Sequence, residues 1–370
     1  AKTLFPYTTL FRSLAVGTRA TPLLSMFNTE RAICPINILC QTLTPPNNQE
    51  TEMGIRGLIP ATLTPFDAHG AVDYPELDRH LQQVASASGL YGIAVNGHAG
   101  EILALTSQER EDVVRRARQV LPANLKLVAG IESHSFDDLI VQGLNAKRAG
   151  ADMLLVLPPF DVRPYRMLAH HTESVRAIFQ RLNDEVGLPM IVFQYAEASG
   201  VAYSLDALRA IADIPQVVAI KAACTSTTAY VEIMNAVGDK VDVLAASDAP
   251  SLLGMLMYRC PGALIGISVI DTQRWSDLVH AATHGQLDKA QKLHTEFAMP
   301  VMDAVFENQL HKSHTSYFAA TKEALFQAGQ LKSARIRPPL VTPDAKQRAN
   351  IAHCLQQVGM VPHGTLAKAA

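Results

Sequence analysis

The sequence predicts a (β/α)8 TIM barrel with a C-terminal helical extension. Three observations predict it. Eight short apolar runs recur down the chain, each is followed by a helical pattern, and the units repeat at roughly 20–35 residues, the spacing of strand-helix pairs in a closed parallel barrel. An open doubly wound sheet is the rival architecture, but no glycine-rich dinucleotide fingerprint follows the first run.

The eight runs are Leu58–Thr64, Gly92–Val95, Leu127–Ile131, Met153–Leu157, Met190–Tyr195, Val217–Lys221, Val243–Ala246 and Ala263–Ile267. Between them, Tyr74–Ser88 sets Leu77, His80, Leu81 and Val84 at three- and four-residue spacing, one face of a helix. Thr106 and Glu109 stand at capping-box spacing before the helix expected over Ser107–Val120. Ser135 is a candidate N-cap, with Asp137 and Asp138 in the first turn where the helix dipole favours them. After the eighth run, helical stretches are expected near Leu278–Phe306, Thr315–Ala328 and Pro343–Val358. The expected organisation is a disordered or artefactual segment over 1–53, the barrel over 54–275, C-terminal helices over 276–362 and a tail over 363–370. Residues Leu4–Ser13 resemble the translation of a common sequencing-adapter oligonucleotide, which places initiation near Met26 or Met53; a targeting segment is the rival, but the basic-apolar-small order is missing.

Composition narrows the function. With 48% hydrophobic and 18% charged residues the chain has the balance of a globular protein with a large core. A net charge of -2 gives no case for nucleic acid or a membrane surface, and no apolar run is long enough to span a bilayer. Five scattered cysteines without C-x-x-C spacing argue against a disulfide framework or zinc cluster and fit a reducing cytoplasm.

In a barrel of this kind chemistry sits where strands end. Lys221 ends the sixth run among Val217, Val218, Ala219 and Ile220 and before Ala222 and Ala223. Apolar neighbours lower a lysine's pKa and free its amine as a nucleophile; the alternative is a lysine that snorkels to water. In Gly97-His98-Ala99-Gly100-Glu101, successive N–H groups form a nest for a carboxylate, or else simply a tight turn. Tyr195 either shuttles protons or packs at the barrel mouth. His98 and Asp248 lack the spacing of a metal site.

Taken together, these residues resemble the dihydrodipicolinate synthase / N-acetylneuraminate lyase family of class I Schiff-base pyruvate aldolases. The features that carry the resemblance run from about Gly54 to Met360: Pro60-Ala61-Thr62-Leu63-Thr64-Pro65-Phe66, Asn96–Glu101, Tyr195, Ile220-Lys221, Ser247-Asp248, Gly266-Ile267-Ser268 and Arg337-Pro338-Pro339-Leu340. The resemblance implies that Lys221 forms an imine with pyruvate or a longer 2-keto acid and that Tyr195 relays protons. It also implies that Gly97, His98, Ala99, Gly266 and Ile267 hold the substrate. It implies no metal or organic cofactor, and a homo-oligomer, tetramer or dimer.

The chain departs from the synthase branch at three points. His98 and Ala99 replace two threonines, Phe160 stands where a tyrosine is borrowed across a subunit interface, and Tyr195-Ala196-Glu197-Ala198-Ser199-Gly200 lacks the arginine that grips the second substrate's carboxylate. The expectation is a lyase or aldolase that is not a true dihydrodipicolinate synthase. Alternatives are a 2-keto-3-deoxy acid dehydratase or a barrel that binds 2-keto acids without turnover. His98 either takes over part of the proton relay or lines the pocket wall.

Overall fold

The structure, a computed structural model, describes residues 54–306 and 316–361. Expectations for 1–53 and 363–370 lie outside the described residues. Eight parallel strands alternate with helices: β1 (Gly57–Pro60), α1 (Tyr74–Ala85), β2 (Gly92–Val95), α2 (Ser107–Val120), β3 (Lys126–Ile131), α3 (Phe136–Ala149), β4 (Met153–Val156), α4 (Thr172–Glu185), β5 (Met190–Gln194), α5 (Leu205–Ile211), β6 (Val217–Ala222), α6 (Thr227–Val237), β7 (Asp242–Ala245), α7 (Leu252–Leu256), β8 (Gly262–Ile265) and α8 (Thr272–Thr283). The sheet runs β1-β8-β7-β6-β5-β4-β3-β2. It closes because the chain after β1 bonds to both neighbours: Ala61 N–H donates to the Ile265 carbonyl at 3.2 Å and Thr62 N–H to the Ala94 carbonyl at 2.8 Å.

The strands are buried nearly throughout, as expected when side chains face either the barrel interior or the helical shell. Leu77, Leu81 and Val84 of α1 and Val113, Val114 and Ala117 of α2 are the buried faces of helices in that shell. Both ends of the capping box at α2 form, between Thr106 and Glu109, and Ser135 caps α3 through the Asp138 N–H.

Two boundaries differ from the sequence expectation. The first run leaves the ladder at Pro60, and Ala61 survives only as an isolated bridge to Ala94. The stretch Leu278–Phe306 divides at Gly285, which adopts a φ of 71°. Beyond it lie α9 (Leu287–Leu293), one π-helical turn at His294–Ala298 and α10 (Met299–Phe306), followed by α11 (Tyr317–Gln327) and α12 (Ala345–Gln357). The π-helical turn ends two residues before Pro300, which has no N–H to give to the preceding turn.

The C-terminal helices are fastened to the barrel by buried charge. Lys322 on α11 bonds to Glu101 and, at 2.9 Å, to the Arg335 carbonyl. Arg337 donates to the carbonyls of Gly70 at 2.8 Å and Ala104 at 2.7 Å and to the Glu109 carboxylate at 2.8 Å.

Candidate active site

At the C-terminal mouth of the barrel, β5 and β6 lie in register with Phe193 beside Lys221. Lys221 is only 8% exposed, and its Nζ sits 3.5 Å from the centre of the Phe193 ring. It makes no hydrogen bond among the described residues. Its charge partner is Asp248, in the loop after β7, whose Oδ1 is buried without a partner. Burial pushes the Lys221 amine below its ordinary value and the Asp248 carboxyl above its own, while their mutual attraction opposes both shifts. Phe193 and Asp248 both line a cavity of about 220 Å³, together with His98, Tyr195, Ser199 and Cys224.

Tyr195 follows β5 and packs edge-on against Phe193 at 4.5 Å. Its hydroxyl lies 2.6 Å from His98 Nε2. Burial holds the Tyr195 phenol above its ordinary value and the His98 imidazole down at about 3, with the Lys221 charge adding to the latter. The ring of His98 is thus neutral near pH 7 and shares a hydrogen bond with the Tyr195 hydroxyl through Nε2.

The loop holding His98 is fixed from beneath. Asn96 adopts a φ of 54° and its Nδ2 donates to the Arg110 carbonyl at 2.8 Å. Gly100 N–H turns back to the Gly97 carbonyl at 3.0 Å and Glu101 N–H to the His98 carbonyl at 2.9 Å. The N–H groups of His98 and Ala99 meet no acceptor among the described residues, the arrangement an anion nest requires.

Gly266 and Ile267 lie just past β8. Ile267 is buried, and a Cβ on Gly266 would stand 2.8 Å from the Tyr317 ring, so glycine there admits an aromatic from α11. The Tyr317 phenol is raised by burial and by the Asp248 charge, so α11 reaches the neighbourhood of that carboxylate. The structure therefore gathers Lys221, Tyr195 and His98 around Phe193, and sets Gly266 beside Tyr317. Phe160 is buried and packs edge-on against Phe136 at 6.4 Å. No group of three or more His, Cys, Asp or Glu among the described residues is placed to hold a metal, and no described helix is long and apolar enough to cross a membrane.

Sequence reasoning missed Phe193, Tyr317 and Glu132. Phe193 reads as an ordinary strand residue, and Tyr317 lies 51 positions beyond Gly266 in a helix with no motif. Glu132, one residue past β3, carried the only signal available: a carboxylate at a strand end.

A sequence model of the Dihydrodipicolinate synthetase family matches residues 54–358. The chain is 27% identical over 306 residues to the 4-hydroxy-tetrahydrodipicolinate synthase of Methanococcoides burtonii, covering 82% of this chain and 98% of that protein. It is 29% identical over 252 residues to the enzyme of the same name from Methanothrix thermoacetophila, covering 68% and 82%. Among solved structures, dihydrodipicolinate synthase from Thermotoga maritima superposes with a TM-score of 0.74 at 21% identity, covering 83% of this chain and 99% of that one. A prophage protein of the dihydrodipicolinic acid synthase family from E. coli K12, solved in complex with pyruvate, gives 0.72 at 22% identity, covering 83% and 99%.

The fold and these relatives define a (β/α)8 lyase of the class I aldolase type. The chain belongs to the Dihydrodipicolinate synthetase family.

Proposed function

We propose that the chain forms an imine between Lys221 and pyruvate or a related 2-keto acid, and makes or breaks the adjacent carbon–carbon bond. One observation carries the reading: a buried amine with no hydrogen-bond partner among the described residues, held on an aromatic ring whose other neighbours are a tyrosine and a histidine in contact. Desolvation keeps a useful fraction of the amine neutral and nucleophilic. The substrate carboxylate would lie in the nest of His98 and Ala99, with Gly97, Gly266 and Ile267 forming the walls. The protonated imine draws electrons from the bond beyond the adjacent carbon. Tyr195 passes protons to and from the substrate oxygen.

The finer reading is that the chain is not a true dihydrodipicolinate synthase, although curated relatives carry the synthase name. Its support is the lining of the site. Neither the 220 Å³ cavity nor the 360 Å³ cavity that shares Tyr195 and Cys224 with it is lined by an arginine or lysine, and the larger one carries Glu197 and Glu232. An acidic second substrate would meet like charge and no guanidinium. The cleavable keto acid therefore has a neutral tail. Free, buried Cys224, Cys260 and Cys354 suit a reducing cytoplasm, and the family resemblance favours a homo-oligomer.

A panel of 2-keto acids, with pyruvate release and water loss both followed, tests this. Neutral-tailed acids are expected to exceed acidic ones in kcat/KM by at least about tenfold. Efficient condensation of pyruvate with an acidic aldehyde would restore the synthase. Water loss without pyruvate release would make the chain a dehydratase acting through the same imine, and binding without either would make it a non-catalytic barrel.

A further inference from the structure

Glu132 is 6% exposed, and its Oε2 is buried without a hydrogen-bond partner among the described residues. A lone buried carboxylate oxygen is expensive to keep without a polar group facing it. The group it faces is His98, with Oε2 3.9 Å from the same Nε2 that contacts the Tyr195 hydroxyl. Its placement is built. Gln142 of α3 clamps the Glu132 backbone on both sides, accepting from its N–H at 3.1 Å and donating to its carbonyl at 2.9 Å. Two residues earlier, Gly130 lets β3 lie against the nest loop, where a Cβ would stand 1.9 Å from the Asn96 carbonyl oxygen.

We infer that Glu132 is a positioning residue for the proton relay: its carboxylate holds the His98 ring where Nε2 meets the Tyr195 hydroxyl. The inference rests on the imine-forming reading of Lys221. As the amine lone pair forms the carbon–nitrogen bond, the carbonyl π pair moves to oxygen, and one proton must travel from nitrogen to that oxygen. Tyr195 gives its proton to the alkoxide and collects the proton shed by nitrogen, while the neutral His98 ring holds the hydroxyl in place through its Nε2 contact. The relay ends as it began. Burial and Lys221 keep the His98 imidazole neutral, so the ring serves the relay by its position. All three members belong to one chain.

The groups around Glu132 are His98 and Tyr195 from the strand ends, Arg110 from α2, His134 on its own loop and Asp161 after β4. Burial first, then Asp161, raise its carboxyl to about 7, against smaller opposing effects of His134 and Arg110. The wild-type kcat should therefore fall as pH drops through about 7, where Glu132 becomes neutral.

The test compares wild type, Glu132→Gln and Glu132→Asp for kcat, KM and pH profile, alongside borohydride trapping of pyruvate. Glu132→Gln should lose about 100-fold in kcat with KM within about twofold, and its profile should lack the limb near pH 7. Glu132→Asp, still ionisable, should recover part of the rate and the limb. A Gln variant with wild-type kcat and an unchanged profile would overturn the inference while leaving the imine intact. A wild type that traps no pyruvate would overturn the imine reading itself, and the relay with it.

Discussion

Lys221 in the barrel mouth and Lys322 in the C-terminal clamp share an environment by every coarse measure. Both are buried, both lie over a phenylalanine ring, at 3.5 Å from the centre of Phe193 and 4.2 Å from that of Phe66, and both have a carboxylate at hand. Burial pushes both amines below their ordinary value. They differ in hydrogen bonding. Lys322 is committed to Glu101 and the Arg335 carbonyl. Lys221 has no such bond, and its ring and carboxylate neighbours open onto a cavity. A lowered pKa thus accompanies two different settings, and on the proposed reading what separates nucleophile from clamp is an uncommitted amine whose neighbours border a cavity.

Substitutions at the two lysines should therefore fail in opposite ways. Lys221→Ala should reduce turnover by at least about 10³-fold, as loss of a covalent nucleophile does, while its thermal melting stays within a few degrees of wild type. Lys322→Met should cost about 3–5 kcal/mol in denaturant unfolding, because it leaves the Glu101 carboxylate buried without its cation, while folded protein still traps substrate. Equal losses of stability, or of trapping, in the two variants would erase the distinction.

A smaller effect belongs to Arg337. Arg337→Met should cost about 2 kcal/mol in the same unfolding assay, by stranding two carbonyls and Glu109. The Arg337 guanidinium holds the Glu109 carboxyl down at about 2 from its ordinary 4.5. That pairing therefore stabilises the fold above pH 4.5 and is lost as pH falls toward 2, so the variant should lose less stability than wild type over that interval. Smallest of all is a shift at Lys221. Asp248 draws its pKa upward, so Asp248→Asn should move the rising limb of pH-dependent trapping to lower pH. A limb that stays or rises would remove Asp248 from the account.

The difference between the two lysines also marks what the sequence could reveal. Lys221 stands at the end of an apolar run, so its place at a strand end is visible in the order of residues. Lys322 sits in Ala319-Ala320-Thr321-Lys322-Glu323, which reads as any helix surface; its partner is 221 residues away, and nothing local announces the pairing. The strands were legible because strands buried on both faces are continuous apolar runs, and the caps because their spacing is local. Pro60 shows where that reading overshoots: the run stays apolar after the ladder has ended. Tyr195 and the glycine loop were found from strand ends. Phe193 and Glu132 were not, since contacts across β2, β3 and β5 depend on closure of the barrel rather than on any spacing along the chain.

The central claim is that Lys221, rather than another lysine, is the amine that meets the substrate. Reduction with borohydride in the presence of pyruvate, followed by peptide mass mapping, tests it most directly. The account predicts one covalent adduct, on the peptide containing Lys221, with Lys322 unmodified. Bound pyruvate with no adduct, or an adduct on a different lysine, would contradict it.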